Sequence, residues 1–428
     1  MPLYLGIDIG TSGVRTSVIG DTDTEVASAS VNMPAPIRID ERPCQDATIW
    51  WEAVRQCLRD QATSLREAGR QFDEITAMAV DGTSGTLLLT DADLNPLTLG
   101  YLYNSANFTS EAEAIARYAP ETSMARGAGF SLARLLFLQK QVNAGTAKHA
   151  LHQADWIAAK LMGQGGFSDE TNVLKMGFDL EQRIWPDWFC ACGVELDLLP
   201  DVKPVGEMFG VVEGAIAKQF GFSHDVKVIA GTTDSNAAFL ASGASQIGEG
   251  VTSLGTTLAI KLLSEKPVTD ASRGVYSHRI KDMWLPGGAS NSGGGVLLDH
   301  FTAQRMSEME TELIPESPTG LDYYPLSRPG ERFPINDPNL QPRLTPRPEN
   351  DLKFFQALLE GLSEIERIAY TALEELGAPT LKRVFTAGGG AQNQAWTRIR
   401  SAKLGVPVVD AQSSNASTGV ARIAAGLI

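Results

Sequence analysis

Apolar and polar positions along this chain follow two rhythms. Short runs rich in Val, Ile, Leu and Ala, bounded by Gly, Asp and Thr, read as strands at 3–8, 14–19, 76–80, 85–90, 226–230, 251–254, 257–263, 283–286 and 383–387. Longer stretches repeat apolar residues at i, i+3, i+4 and i+7. They predict helices at 47–69, 109–118, 132–143, 153–162, 211–220, 291–304, 351–376 and 393–404. The longest, DLKFFQALLEGLSEIERIAYTALEEL, has the broad apolar stripe of a half-buried helix. The tail NASTGVARIAAGLI reads as a helix of small residues suited to close packing on another element. Strands alternating with helices place the chain in the α/β class.

Two stretches modify that picture. IDIGTSGVRTSVI near the N-terminus is echoed by VTSLGTTLAIKLL at 251–263: a strand, a Gly-Thr-Ser/Thr turn and a second strand. A related hairpin opening each half suggests two domains of related fold facing each other across a cleft. Residues 314–349 hold nine of the 22 prolines. Tyr323, Tyr324, Leu326, Phe333 and Ile335 make that segment too apolar for a linker, so an ordered excursion packed on the surface is expected.

Composition narrows the function classes. A chain of 428 residues, 43% hydrophobic and 20% charged, is long enough for two or more domains with real cores. A net charge of −15 argues against a nucleic-acid or anionic-membrane partner, which needs a basic face. Cys44, Cys57, Cys190 and Cys192 fit neither a zinc framework nor a CxxC redox motif, so plain thiols in a reducing compartment are expected. The start MPLYLGIDIG lacks the basic region of a signal peptide, and no run of about 18 apolar residues occurs. A cytoplasmic location follows as the expectation, or an organelle stroma if the source is a plant.

Five stretches can carry chemistry. In Asp8-Ile-Gly-Thr-Ser-Gly13, a carboxylate sits inside an apolar strand, where it costs several kcal/mol unless compensated. Gly10 and Gly13 would permit positive φ, and the turn would form a backbone nest for phosphate, with Asp8 placed to hold Mg²⁺. The plainer reading is a hairpin whose Asp closes its own turn. Asp81-Gly-Thr-Ser-Gly85 repeats the pattern, and Thr83 and Ser84 could bond a polyhydroxy ligand or simply turn the chain. In VIAGTTDSNAAFLASGA, Asp234 stands where a strand becomes a helix. It is either an N-cap or a rigid carboxylate able to take a proton from a hydroxyl. Ser253-Leu-Gly255-Thr256-Thr257 is a second nest. Phe385-Thr-Ala-Gly-Gly-Gly-Ala-Gln-Asn393-Gln-Ala-Trp396 puts three glycines between a strand and a helix, open to a flat ring or a phosphate. GGASNSGGGV at 287–296 is a further glycine cluster of this kind. No GxxxxGK[ST], GxSxG or HExxH pattern occurs, and the five histidines are assigned to surface or core.

Taken together and in this order, the stretches resemble an FGGY-type carbohydrate kinase of the actin/hexokinase/Hsp70-like (ribonuclease H-like) superfold. AVDGTSGTLLL, ADWIAAKLMG, AGTTDSNAAFLASGA, GVYSH, GGASNSGGG, GLDYYPLSRPGERFPI and TAGGGAQN carry the likeness over essentially the whole length. Within the family the chain most resembles the short cyanobacterial and plant members associated with D-ribulose phosphorylation. The resemblance implies two domains around a central cleft. Residues 1–241 would bind sugar, 242–413 would bind nucleotide, and a terminal helix at 414–428 would pack back on the first.

The same resemblance implies residue roles. Asp8 would coordinate Mg²⁺, while Thr11, Ser12 and Gly13 would line the γ-phosphate of ATP. Ser84 would contact the sugar and Asp234 would be the general base. Gly255 and Thr256 would hold the inner phosphates. Gly389, Gly390 and Asn393 would hold the adenine end, with Trp396 beside it. Apart from the resemblance, the chemistry of phosphoryl transfer suggests Arg15 or Lys175 as a cation that could help stabilise the developing charge. Two departures stand out. Tyr103-Asn-Ser105-Ala-Asn107 replaces the Asn-Asp-x-Arg of many relatives, and Asn415 stands where a glutamate is usual. The expected activity is phosphorylation of a ketopentose by ATP, D-ribulose first and D-xylulose next, by a monomer or homodimer. A weakly active sugar-and-ATP-binding protein and an actin- or Hsp70-like ATPase are the rivals.

Overall fold

The strand Leu3–Ile9 explains most of the first half of the molecule. Leu3, Leu5, Ile7 and Ile9 alternate onto one face, are fully buried, and join Trp50, Val54 and Leu58 of helix Ala47–Glu67 in one apolar core. Each such side chain contributes roughly 1.5–3 kcal/mol of burial. Tyr4, Gly6 and Asp8 point to the opposite face. There the close approach is to helix Ala416–Ala425: a Cβ on Gly6 would lie 1.9 Å from the Ser417 carbonyl oxygen. The small-residue tail is thus packed backbone to backbone, also against helix Asp234–Ala241, where a Cβ on Gly419 would meet the Ala237 carbonyl at 1.8 Å. Arg422 ties the helix down through Asp23 and the Leu240 carbonyl.

The computed structural model describes residues 1–121 and 123–428. The chain divides into two compact units, Met1–Ala241 with Asn415–Ile428, and Ser242–Ser414. The main sheet of the first unit has six strands in the order Met208–Val211, Lys227–Thr233, Ile75–Gly82, Leu3–Ile9, Gly13–Gly20, Glu25–Asn32. Leu3–Ile9 runs parallel to Ile75–Gly82, which runs parallel to Lys227–Thr233; the outer pairings are antiparallel. A second, five-stranded antiparallel sheet holds Ile37–Ile39, Arg42–Gln45, Gly100–Tyr101, Leu87–Thr90 and His149–His152.

The second unit repeats the first sheet's logic. Its hairpin Glu249–Leu254/Leu258–Leu262 is followed in space by the parallel strands Arg383–Ala387 and Val408–Asp410. The echo between the two hairpins is therefore a repeat of topology. The long helix Asp351–Glu375 packs on this sheet and buries Glu366, whose carboxylate receives two bonds of 2.7 Å from the equally buried Arg400.

The pattern misplaced some boundaries. Residues 211–220 are the strand Met208–Val211 and then the helix Gly214–Phe220. Residues 291–304 hold the short helix Gly294–Leu298, and a new helix, Ala303–Glu310, starts where Thr302 caps it through Arg305 N–H. In the Pro-rich excursion Tyr323, Tyr324, Leu326 and Phe333 are buried, whereas Ile335 is 40% exposed. All four cysteines are free thiols, and no helix among the described residues is long and apolar enough to cross a membrane.

Candidate active site

The three parallel strands of the first unit end side by side, and each end carries an aspartate. Asp8 lies opposite Asp81 across one pairing, and Thr233 lies opposite Gly82 across the next, which brings Asp234 to the same edge. In open α/β sheets the carboxyl ends of parallel strands are where ligands bind. Gly231 makes the second pairing possible, because a Cβ there would fall 1.9 Å from the Val80 carbonyl oxygen.

The three carboxylates differ. Asp8 is 4% exposed and accepts one bond from Arg15 Nη1 at 3.1 Å, an arginine half in solvent. Asp234 is half-buried, opens helix Asp234–Ala241, and accepts from the Ser235 amide at 2.6 Å. Asp81 is fully buried, and neither of its oxygens receives a protein donor. Burial first, then the charge of Asp8, holds the Asp81 carboxyl well above the usual carboxylate range; Asp234 adds to the push and Arg15 opposes it. Its carboxyl stands beside that of Asp8, which is its register partner on the neighbouring strand. Asp81 is the residue that sequence reasoning passed over. It looked like the first position of a turn, and only the strand register sets it beside Asp8.

Around the carboxylates the turns divide their work. Gly10 and Gly13 do not use positive φ. Gly13 is needed because a Cβ would meet the Val31 carbonyl at 2.6 Å, and the hairpin is closed by Gly10 N–H to Gly13 O at 3.0 Å. Thr11 is partly exposed and Ser12 exposed. Thr83 is a core residue whose hydroxyl bonds Thr86 and Gln153 at 2.5 and 2.8 Å, so it is not presented to a ligand. Ser84 differs: its Oγ has no partner. Lys175 lies 5.9 Å over the Phe130 ring, whereas Arg15 stands at Asp8. Asn415 caps the terminal helix without a side-chain bond to it.

In the second unit the glycine stretches converge. Gly294 and Gly295 donate to the carbonyls of Gly255 and Thr256 at 2.9 and 3.0 Å. Gly388, at φ +86°, lies so near Leu254 that a Cβ would meet its carbonyl at 2.7 Å. Gly255, Thr256 and Gly389 are exposed, and the glycines at 293–295, left without a role above, belong to this group. Asn393 caps helix Gln394–Leu404 through Trp396 N–H at 2.7 Å, which engages its Oδ1 and leaves the amide N–H groups. Trp396 is 3% exposed, and its indole N–H bonds Ser363 Oγ at 3.1 Å. The ring props Gly390 from beneath, with 2.7 Å to a Cβ built there. It is a packing residue and offers no open face to a base.

A cavity of about 580 Å³ lined by Met124, Leu174, Phe178 and Trp188 lies in the first unit but touches none of these residues. The strand ends, with their converging carboxylates, are the better site.

Comparison with known proteins assigns the family. The N-terminal domain of the FGGY family of carbohydrate kinases matches residues 3–241, and its C-terminal domain matches 250–426. The chain belongs to the FGGY family of carbohydrate kinases. It is an ATP-dependent carbohydrate kinase. It is similar to the xylulose kinase of Escherichia coli, 24% identical over 93% of this chain and 84% of the relative. The xylulose kinase of Bacillus subtilis is also 24% identical, over 99% of this chain and 88% of its own. Its fold is that of the xylulose kinase from Rhodospirillum rubrum, with TM-score 0.86, 21% identity, 99% of this chain and 89% of the other covered. Plasmodium falciparum glycerol kinase with ADP gives TM-score 0.85 at 16% identity, over 100% and 89%.

Proposed function

We propose that this kinase transfers the γ-phosphoryl group of ATP to the primary hydroxyl of a ketopentose, with D-xylulose ahead of D-ribulose. The order reverses the one suggested by motifs alone, because the similar curated relatives named above are xylulose kinases. The observation that carries the proposal is the unequal set of aspartates on adjacent strand ends. Asp81 is sealed, Asp8 is nearly so, and Asp234 alone is half open, at a rigid strand-to-helix corner.

Asp234 is the general base, accepting the proton of the attacking hydroxyl as its oxygen reaches the phosphorus. Ser84 Oγ, unpartnered at the neighbouring strand end, holds a sugar hydroxyl. The amides of the Thr11–Gly13 turn cradle the terminal phosphate, and Arg15 moves from Asp8 towards developing charge. Gly255, Thr256, Gly389, Gly390 and Asn393 take the nucleotide. Mg²⁺ fits the acidic end: the oxygens of Asp81 have no protein donor, and Asp8 beside it is met by Arg15. Asp8, with Asp81 beside it, would hold the metal. When bound it would neutralise phosphate charge during transfer.

The test is ADP release across D-xylulose, D-ribulose, glycerol, gluconate and no acceptor. Turnover that depends on a ketopentose, highest with D-xylulose, is expected. ADP release indifferent to every acceptor would sink the kinase reading for these substrates, and a preference for D-ribulose would reverse only the order.

A further inference from the structure

Arg134 has no part in the chemistry above, yet it is a charged side chain buried completely in the first unit. It sits on helix Ser131–Gln139, fully enclosed, and no carboxylate pairs with it among the described residues. A buried cation without a counter-ion is expensive. Burial alone pulls its pKa down to about 9, which leaves it charged at neutral pH.

What compensates the charge is backbone. Nη1 donates to the carbonyl of Gly85, and Nη2 donates to those of Ser105 at 2.9 Å and Gly129 at 3.1 Å, with Tyr103 at 3.5 Å. The guanidinium also lies 5.6 Å over the Phe108 ring. These carbonyls come from three separate stretches: the turn that presents Ser84, the 103–107 loop, and the segment leading into the helix. Ser105 is fixed further by its hydroxyl on the Pro43 carbonyl. At Gly85, φ +93°, a Cβ would stand 3.4 Å from Arg134 Nη1 and 3.5 Å from Ser131 Oγ, so turn and guanidinium are in direct contact.

We propose that Arg134 is the positioning residue of the acceptor wall: its planar fork fastens the Ser84–Gly85 turn to the Tyr103–Ser105 loop and thereby sets sugar affinity and discrimination. The inference rests on the proposed sugar contact of Ser84. It also explains how a loop lacking the carboxylate and guanidinium of many relatives keeps a defined shape, since the cation arrives from the helix behind. A lysine would not reproduce this contact, because its ammonium is a compact charge on a flexible stem, whereas the guanidinium spreads its donors over a rigid planar fork.

Arg134→Lys and Arg134→Gln separate this role from mere stability. Steady-state constants for acceptor and ATP are measured together with hydrogen exchange of segments 83–86 and 102–107 and thermal melting. In a folded variant the acceptor KM should rise about tenfold or more, equivalent to about 1.4 kcal/mol, while the ATP KM stays within about twofold. Exchange should quicken in both segments, and the preference between D-xylulose and D-ribulose should narrow. Unchanged acceptor KM in a folded variant, equal shifts in both KM values, or failure of both variants to fold would each overturn the positioning role. If the wild type phosphorylates no ketopentose, the functional reading fails by itself. The exchange measurement then still decides whether Arg134 clamps the two segments.

Discussion

Asp8→Asn tests whether the buried acid is there for chemistry or for the fold. The structure gives the stability side of the answer. Among the described residues the cationic partner of Asp8 is Arg15, whose side chain is 49% exposed, so the lost ion pair is worth about 0–1 kcal/mol. Against that, the substitution removes a negative charge pressed against Asp81. Two like unit charges within a few ångströms repel by up to about 4 kcal/mol at an effective dielectric of 20. The same repulsion raises the Asp81 pKa, which leaves only part of that relief. The net expectation is a ligand-free protein as stable as the wild type or steadier by about 1–2 kcal/mol, a rise of roughly 2–8 °C in melting temperature. Turnover should meanwhile fall at least about 100-fold, the loss typical of removing one preorganised electrostatic group. Calorimetry without nucleotide or sugar supplies the first number and coupled ADP release the second. Loss of more than about 2 kcal/mol of stability with turnover largely kept would show that Asp8 serves the hairpin, and the site assignment would fall.

Two further outcomes follow from the same geometry. Asp234→Ala should lower kcat by about 10²–10⁴ with nucleotide affinity near that of the wild type, read by single-turnover phosphorylation and by calorimetric titration of ATP. Near-normal kcat would remove it as the base. Asp169 should give the first unit a pH dependence of its own: burial, and then the charge of Asp155, raise its pKa from 3.8 to about 6, against opposing bonds from Thr171 and Asn172. The folded state therefore holds this proton more tightly than the unfolded one. Its contribution is complete below about pH 4 and is lost as pH rises through about 6, at up to about 1.4 kcal/mol per unit. Urea melts from pH 4 to 7 should show that downward component, and Asp169→Asn should remove it. An identical slope in both proteins would refute the assignment.

What the sequence revealed depends on how local the cause was. The paired hairpins were legible because an apolar alternation broken by Gly-Thr-Ser/Thr is a local signal, and each became the first hairpin of a six-stranded sheet. The terminal helix was legible for a similar reason: Gly419, Ala421 and Ala424 in one short run suit a helix whose backbone touches another. Glycine was harder. Gly13 looked like a conformational device, yet its missing Cβ serves the neighbouring Val31 carbonyl, a partner that only strand pairing supplies. Trp396 misled in the opposite direction. An aromatic beside three glycines suggests a stacking platform, but in a helix started by Asn393 the third residue turns inward, where Ser363 receives its N–H.

The residues hardest to read are those whose meaning comes from several distant stretches at once. Asp81 and Asp8 are separated by more than seventy positions and matched only by a parallel register. Shifting that pairing by one residue would turn Asp81 to the opposite face and dissolve the cluster. Arg134 is harder still, since SLARLLFLQ reads as an apolar helix with one intruding charge. Periodicity would turn that charge outward, towards solvent. The fold turns it inward because three stretches present carbonyls that its rigid fork of donors meets together. A departure in the 103–107 loop that looks in sequence like a lost grip on the substrate is, in this arrangement, a loop whose shape is governed from behind. Substrate preference in this kinase should then follow position 134 as closely as it follows the loop itself.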